Sequence, residues 1–306
     1  MGQVINVSRM VDAAKKLGGA KVAAAYPCDQ VSLGAVVEGK KLGLMDPIAV
    51  GPKSKIEAVA EENGFSLDGI IIEDIADSRA CAARAAAMAR DGQVAALMKG
   101  SLHTDELMGA VVARDAGLRT SRRVSHCFVM ETPHCERPFI ITDAVVNIAP
   151  DLKSKADIVR NSIDVARAIG IETPKIAILA AVETVNFDMP TTLDAAALCK
   201  MADRGQIQGA IIDGPLALDN AVSATACSIK KIKTPLEGRA DVLMVPNLES
   251  GNILFKGLGY LGGGKLAGVV VGAKVPVILT SRADSAETRV ASCALAALLA
   301  HQLRRN

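Results

Sequence analysis

The stretch Val275-Pro276-Val277-Ile278-Leu279-Thr280-Ser281-Arg282-Ala283-Asp284-Ser285 joins a short apolar run to a polar turn and the start of a helix. The apolar run predicts a buried strand, and Asp284 with Glu287 predicts a capping box at the start of the helix. Because ligands bind at the carboxyl ends of strands in open α/β sheets, Ser281 and Arg282 stand where a ligand would bind. A guanidinium offers a fork of donors to phosphate or carboxylate, and a serine hydroxyl can stabilise developing negative charge. A helix-capping turn with a surface arginine fits the same residues equally well.

The same order of apolar strand, turn and helix recurs along the chain. It predicts an α/β fold of mostly parallel sheets with right-handed crossovers. A predicted hairpin over 124–142, with its turn near Pro133, interrupts this alternation and indicates a change of domain. The predicted strands outside the hairpin are 21–25, 47–50, 70–72, 94–98, 175–179, 209–212, 241–245, 267–271 and 275–279.

Composition excludes some classes of function. The chain has 306 residues, a net charge of +2, two Tyr, five Phe and no Trp. It therefore lacks both the basic charge and the stacking aromatic residues that nucleic-acid binding requires, so no nucleic-acid partner is expected. The apolar run 290–300 is too short to span a bilayer and predicts a buried helix, so no membrane partner is expected either.

The seven cysteines are scattered and form no C-x-x-C pair. This pattern predicts reduced thiols and a cytoplasmic location. His126 and His134 each precede a cysteine, but eight residues of strand separate them by about 26 Å. We therefore expect no metal site.

Three further polar turns follow predicted strands. Gly100-Ser101-Leu102-His103-Thr104 offers hydroxyl groups and backbone N–H groups to an anion, and Thr104 is expected to cap a helix. The other two turns, 213–220 and 246–252, place carboxylates and amides at strand ends. Each turn alone fits ordinary turn chemistry, but their convergence at the carboxyl ends of strands indicates a site. Gly257 to Gly262 fits G-x-G-x-x-G, but it follows a predicted helix rather than a strand, so we reject it as a nucleotide motif.

Five ordered segments resemble the phosphate acetyltransferase and phosphate butyryltransferase family. The version of the motif at 213–220 resembles the butyryltransferase branch more closely. These segments are 97–101, 141–148, 212–221, 246–252 and 279–285.

The resemblance implies a two-domain α/β subunit with an isocitrate/isopropylmalate-dehydrogenase-like fold and a cleft between domains. Residues 1–118 plus 270–306 would form the first domain, which carries both termini, and 119–269 the second. A homodimer is the implied assembly.

The resemblance also implies reversible transfer of a short-chain acyl group between coenzyme A and inorganic phosphate. Acyl-CoA and phosphate would be the substrates, and no cofactor or metal would be needed. Arg282 would bind phosphate and Ser281 would donate to the oxyanion or the leaving sulfur, with Ser101 and Thr104 as further phosphate contacts. The residues implied to line the cleft are Asp213, Asn247 and Asn252.

Two positions depart from acetyl-transferring relatives. Thr288 stands where those relatives carry an aspartate, and Met108 where they carry an arginine. Two other functions stay open at this point: an NAD(P)-dependent decarboxylating dehydrogenase on the same fold, and a non-catalytic acyl-CoA-binding protein.

Overall fold

The computed structural model describes residues 4–281 and 283–304, with the backbone alone at Glu136. Contacts divide the chain into two compact units. We call residues 8–122 and 267–304 the N-terminal unit, and residues 4–7 and 123–266 the central unit. This division differs from the predicted domains at the start of the chain. The Ile5 N–H donates to the Ile169 carbonyl at 2.9 Å, which ties the first described residues to the central unit.

The N-terminal unit is built mainly from alternating strands and helices. Its elements are α1 Val7–Lys15, β1 Ala20–Ala25, α2 Gln30–Lys41, β2 Met45–Gly51, α3 Lys53–Asn63, β3 Ile71–Asp74, α4 Ser78–Arg90, β4 Ala96–Lys99, α5 Thr104–Val112, β10 Lys265–Val271, β11 Val277–Ile278 and α11 Ala286–Leu303.

The strands of this unit lie in the order β3-β2-β1-β4-β11-β10. All neighbouring pairs are parallel except β10 with β11, so β1, β2, β3, β4 and β11 end at one edge of the sheet. The predicted buried helix is confirmed, because α11 is buried continuously from Ala291 to Ala300. The sheet edge at which these five strands end carries the turns of the candidate site.

The central unit contains the predicted hairpin. Strands β5 and β6 are antiparallel, whereas β6, β9, β7 and β8 are parallel and lie in that order after β5. Its elements are β5 Ser125–Thr132, β6 Cys135–Thr142, α6 Leu152–Ala168, β7 Lys175–Leu179, α7 Pro190–Asp203, β8 Ile211–Leu216, α8 Leu218–Val222, α9 Ala224–Lys230, β9 Val242–Met244, α10 Leu248–Lys256 and a π-helical turn Gly257–Leu261.

The π-helical turn at 257–261 continues α10 directly. The glycine-rich stretch therefore follows a helix, as predicted, and its context differs from that of a dinucleotide-binding motif. Phe255 near the end of α10 stacks on Phe128 of β5 with ring centroids 4.0 Å apart, and both side chains belong to the apolar core of the central unit. Within residues 4–281 and 283–304, no helix is long and apolar enough to cross a bilayer.

Candidate active site

Ser101 and Ser281 follow neighbouring strands of the N-terminal unit. Met98 of β4 pairs with Ile278 of β11. Ser101 comes three residues after Met98, and Ser281 comes three residues after Ile278. The strands are parallel and about 4.8 Å apart, so both serines leave the sheet at the same edge and level. The structure therefore places the turns of both serines at one sheet edge, with the Ser101 side chain bonded to the turn after β1. Arg282 lies outside the described residues.

The Ser281 turn is closed by its own hydrogen bonds. The Ser281 N–H donates to Asp284 Oδ2 at 2.7 Å, and Ser281 Oγ accepts from the Ala283 N–H at 3.3 Å. Accepting this bond leaves the hydroxyl hydrogen of Ser281 able to donate to a ligand. The side chain is exposed at the sheet edge.

The predicted capping box at Asp284 and Glu287 is wrong. Helix α11 begins at Ala286, and Ser285 is its N-cap, with Oγ accepting from the Thr288 N–H at 3.1 Å. The Asp284 carboxylate instead accepts the Ser281 N–H, so it organises the turn rather than the helix end.

The Ser101 turn is joined to the turn after β1. Ser101 Oγ donates to the Tyr26 carbonyl at 3.0 Å and accepts from the Cys28 N–H at 3.3 Å. The backbone N–H of Gly100 donates to the Ala25 carbonyl at 2.9 Å, and that of Ser101 to the Tyr26 carbonyl at 2.8 Å. Of the backbone N–H groups that the turn was expected to offer to an anion, these two are therefore already used by the turn after β1.

Glycine at position 100 is required by the closeness of these two turns. A Cβ placed there would lie 2.3 Å from the carbonyl oxygens of Ala25 and Tyr26. Tyr26 itself has a φ of 54°, an uncommon backbone conformation for a tyrosine. This conformation is part of a turn whose carbonyl group accepts twice from Ser101.

The start of α5 differs from the prediction in its cap. His103 is the N-cap without a side-chain hydrogen bond, and Thr104 is the first helical residue. Thr104 is exposed, and its N–H belongs to the first turn of a helix, where backbone donors favour anions. The Glu106 carboxylate accepts from Ser78 Oγ of α4 at 2.8 Å, which holds it towards α4 but leaves its negative charge, with that of Asp105, in the first turn of α5.

Other carboxylates at the same edge hold helix starts. Asp29 accepts from the Ser32 N–H at 2.7 Å and caps α2, and Asp77 caps α4 through the Ala80 N–H at 2.8 Å. Lysines lie at this edge as well. Lys55 Nζ is 3.1 Å from Tyr26 Oη, a hydrogen bond that raises the pKa of Lys55.

Cys28 lies in the β1 turn, but its thiol is not activated. Burial raises the pKa of Cys28 to about 11, with the neighbouring Cys81 thiol adding to the rise. The thiol is therefore protonated at neutral pH and a poor nucleophile.

In the central unit, Asn247 and Asn252 hold one helix in place. Asn247 is the N-cap of α10 and its Oδ1 accepts from the Ser250 N–H at 2.9 Å. Asn252 Nδ2 donates to the Ala144 carbonyl, at 3.2 Å, in the loop after β6. Because β6 and β9 are neighbours, these two asparagines lie at the same edge of the sheet.

Asp213 lies elsewhere in the same unit. It was expected to follow its strand, but β8 continues to Leu216, so Asp213 is inside the strand and level with Ala177 of β7. Two strand spacings separate β8 from β9, so Asp213 is not brought next to the asparagines. Burial raises the pKa of the Cys199 thiol to about 12, and the negative charge of Asp213 adds to this effect.

The sequence analysis assigned no role to the side chain of Asp143, which organises the loop after β6. Its buried carboxylate accepts from the backbone N–H groups of Val145, Val146 and Asn147 at 3.0 to 3.1 Å, and from Asn147 Nδ2 at 2.6 Å. An aspartate followed within four residues by an asparagine is a common turn pattern, so the signal was present but not specific.

Comparison with known proteins identifies relatives along nearly the whole chain. A model of the family described as "Phosphate acetyl/butaryl transferase" matches residues 79–297. A phosphate acetyltransferase of Rhizobium meliloti is 52% identical over 296 residues, covering 97% of this chain and 94% of the relative. A phosphate butyryltransferase of Clostridium acetobutylicum is 44% identical over 280 residues, covering 92% and 93%.

A solved structure agrees with these relatives. The branched-chain phosphotransacylase of Enterococcus faecalis V583 matches with a TM-score of 0.81 at 32% identity, covering 92% of this chain and 99% of that one. The predicted α/β fold with mostly parallel strands is confirmed by this match and by the strand pairing. The chain therefore belongs to the phosphate acetyl/butyryl transferase family.

Proposed function

We propose that the protein transfers a short-chain acyl group reversibly between coenzyme A and inorganic phosphate. Membership of the family carries this proposal, because relatives named for phosphate and an acyl group cover nearly the whole chain. Both acetyl- and butyryltransferases are among them, so the acyl group is acetyl or butyryl in type. The family also favours this function over that of a dehydrogenase on the same fold.

The reaction is a group transfer. A phosphate oxygen attacks the thioester carbonyl carbon, and the carbonyl electron pair moves to its oxygen. When this tetrahedral oxyanion collapses, the C–S bond breaks and coenzyme A leaves as a thiolate, which takes up the proton that the attacking hydrogen phosphate gives up. Nothing is oxidised or reduced, so we propose that the protein works without a bound cofactor.

We assign the chemistry to the carboxyl edge of the N-terminal unit. Ser281 is exposed there and keeps a hydroxyl hydrogen that can stabilise the oxyanion or the leaving sulfur. Arg282 follows Ser281 in the chain, and its guanidinium would bind the phosphate through bidentate hydrogen bonds. Thr104 would add a contact from the start of α5. Holding both substrates together in one site can supply a large part of the rate enhancement.

The remaining predicted residues have supporting roles in this proposal. Ser101 positions the turn after β4 through Tyr26 and Cys28. Asn247 caps the start of α10, and Asn252 bonds this helix to the loop after β6. Contact of these asparagines and of Asp213 with a substrate stays a prediction.

We further propose that the protein works as a homodimer in the cytoplasm. The family resemblance supports the dimer, and seven free cysteines suit a reducing compartment. Light scattering on the purified protein would give the mass of the assembly directly, and the mass of a single 31.7 kDa chain would refute the dimer.

The decisive experiment is coenzyme A release from acetyl-, propionyl-, butyryl- and isobutyryl-CoA, with phosphate and with sulfate as the control anion. We expect release only with phosphate, and the ranking of kcat/KM identifies the preferred acyl group. Tight acyl-CoA binding without turnover would instead support the non-catalytic alternative.

Arg282→Ala tests the assigned site within that assay. We expect this variant to lose most of kcat/KM, because phosphate would lose the guanidinium that binds it through bidentate hydrogen bonds. Turnover close to that of the wild type would remove Arg282 from the mechanism without affecting the proposed function.

A further inference from the structure

Three donors at the beginning of the turn after β4 already have protein acceptors. The N–H groups of Gly100 and Ser101 donate to the β1 turn, and the Ser101 hydroxyl does the same. Ser101 and Thr104 were expected to contact phosphate at this turn. With these donors engaged, a phosphate beside the turn would depend on the exposed start of α5 and on nearby positive charge.

Lys99 brings a positive charge to the same turn. Strand β4 is buried through Met98, and Lys99 is the half-buried residue at which it reaches the sheet edge. Its Nζ lies 3.1 Å from the Leu102 carbonyl and 3.3 Å from the Gly100 carbonyl. The side chain is therefore folded over the turn that follows the strand, and its ammonium group is held in place.

The register of the sheet places the backbone of Lys99 beside the segment that leads into the Ser281 turn. Met98 pairs with Ile278, so Lys99 is level with Leu279, two residues before Ser281. Neighbouring strands are about 4.8 Å apart, a distance that a single bound phosphate can bridge. Charge at this point would therefore act on a ligand that also meets Ser281.

Two nearby carboxylates are held by hydrogen bonds from neutral donors. Glu106, in the first turn of α5, accepts from Ser78 Oγ at 2.8 Å, and Asp284 accepts from the Ser281 N–H at 2.7 Å. These bonds fix the carboxylates without neutralising them, and Asp105 adds another carboxylate to the first turn of α5, so a phosphate at this edge needs a positive charge beside it. An ammonium in such a position suits a dianionic nucleophile, because lysine acts as a compact point charge towards phosphate.

We propose that Lys99 binds the phosphate substrate through its ammonium group, alongside Ser281. This role rests on the proposed function, since it names the group that holds the nucleophile of that reaction. The bonds from Nζ to the two carbonyls orient the ammonium before phosphate arrives.

The test compares Lys99→Met with Lys40→Met. Lys40 is a lysine near the end of α2 that pairs with Asp46 at 2.8 Å near the start of β2, away from the carboxyl edge of the strands. We expect Lys99→Met to raise the KM for phosphate by roughly 10-fold or more, the loss typical of a charge-assisted hydrogen bond. The KM for acyl-CoA should stay within about twofold in both variants, and Lys40→Met should leave both constants near those of the wild type.

Two more variants separate charge from structure. Lys99→Gln can still donate to the turn carbonyls but lacks the charge, so it should lose phosphate affinity as Lys99→Met does. Lys99→Arg keeps the positive charge and should retain part of the affinity for phosphate. If Lys99→Gln binds phosphate like the wild type, or if Lys99→Met raises both KM values together with a fall in Tm, Lys99 only fastens its own turn and the proposal is wrong.

A binding measurement separates this proposal from the proposed function. Inorganic phosphate should raise the Tm of the wild type and of Lys40→Met, and should have much less effect on Lys99→Gln. If the wild type shows no acyl transfer but phosphate protects it in a Lys99-dependent manner, the reaction is wrong and the phosphate site stands. Equal protection of all variants would overturn the role of Lys99 alone.

Discussion

The Ser101 hydroxyl donates to the carbonyl of Tyr26, a residue 75 positions earlier in the chain. Its oxygen also accepts from the Cys28 N–H, so one side chain joins the turns after two neighbouring strands. The local sequence correctly places Ser101 at the end of a strand. It cannot reveal a partner that only the pairing of β1 with β4 brings near.

Ser101→Ala should therefore act on stability. The change removes two hydrogen bonds but leaves no group unpaired, because the Cys28 N–H still donates to the Tyr26 carbonyl at 2.9 Å, so we expect a cost of about 1 kcal/mol in the free energy of unfolding. Urea unfolding measures the difference. Ser66→Ala is the matched control, because the Ser66 hydroxyl bonds the exposed Asp68 and its loss should change stability by less than about 0.5 kcal/mol. Equal stability of the two variants would show that the Ser101 bonds contribute nothing net.

At the scale of the element, the chain offers two glycines close together with opposite requirements. Gly100 lies in the turn between β4 and α5, where an added Cβ would meet backbone oxygens at 2.3 Å. Gly109 lies inside α5, where an added Cβ would have no heavy atom within 4 Å. Gly100 is required because there is no room for a side chain, whereas Gly109 only lowers the stability of its helix.

Gly100→Ala and Gly109→Ala should therefore differ in sign. We expect Gly100→Ala to destabilise the protein by about 3 kcal/mol or more, because backbone rather than flexible side chains must move. Gly109→Ala should stabilise it by roughly 0.5–1 kcal/mol through helix propensity. Denaturant unfolding of both variants gives the comparison, and a tolerated Gly100→Ala would mean that the two turns can separate.

The elements also show where sequence patterns are reliable. Apolar runs such as 21–25 and 94–98 predicted β1 and β4, because burial on both faces of a parallel strand leaves a simple signal. The predicted start of α11 was wrong, because Asp284 and Ser285 are both residue types that cap helices and the structure uses Ser285. The choice between them depends on which side chain the Ser281 N–H engages, and this is a matter of three-dimensional geometry.

For the whole molecule, the order of the motifs predicted the family, and the family model and the relatives confirm it. Five separate segments in the right order are more specific than any single turn. The sequence was less informative about which site residues meet. The turns of Ser101 and Ser281 lie at the same sheet edge because β4 and β11 are neighbours, whereas Asp213 is kept from Asn247 by the position of β7 between β8 and β9.

Buried thiols give the whole fold a dependence on alkaline pH. Burial raises the pKa of Cys127 and Cys293 to about 12, and that of Cys81 to about 11, from an ordinary value of 9.0. Below pH 9 these thiols are protonated in both the folded and the unfolded chain, so their contribution is fully present. Above pH 9 the unfolded chain loses protons that the folded chain keeps, which favours unfolding. Stability should therefore fall as the pH rises from about 9 towards 11 and 12.

Cys293→Ala isolates one of these groups. Each such thiol contributes up to about 1.4 kcal/mol per pH unit to the loss of stability, so the variant should lose free energy of unfolding less steeply than the wild type between pH 9.5 and 11. Ser292→Ala is the control, because it removes a buried hydroxyl from the same helix without removing an ionisable group. The comparison uses only the slope of its stability with pH, which should equal that of the wild type whatever its stability at pH 8. Parallel slopes for all three proteins would show that the Cys293 thiol ionises as easily in the fold as in the unfolded chain.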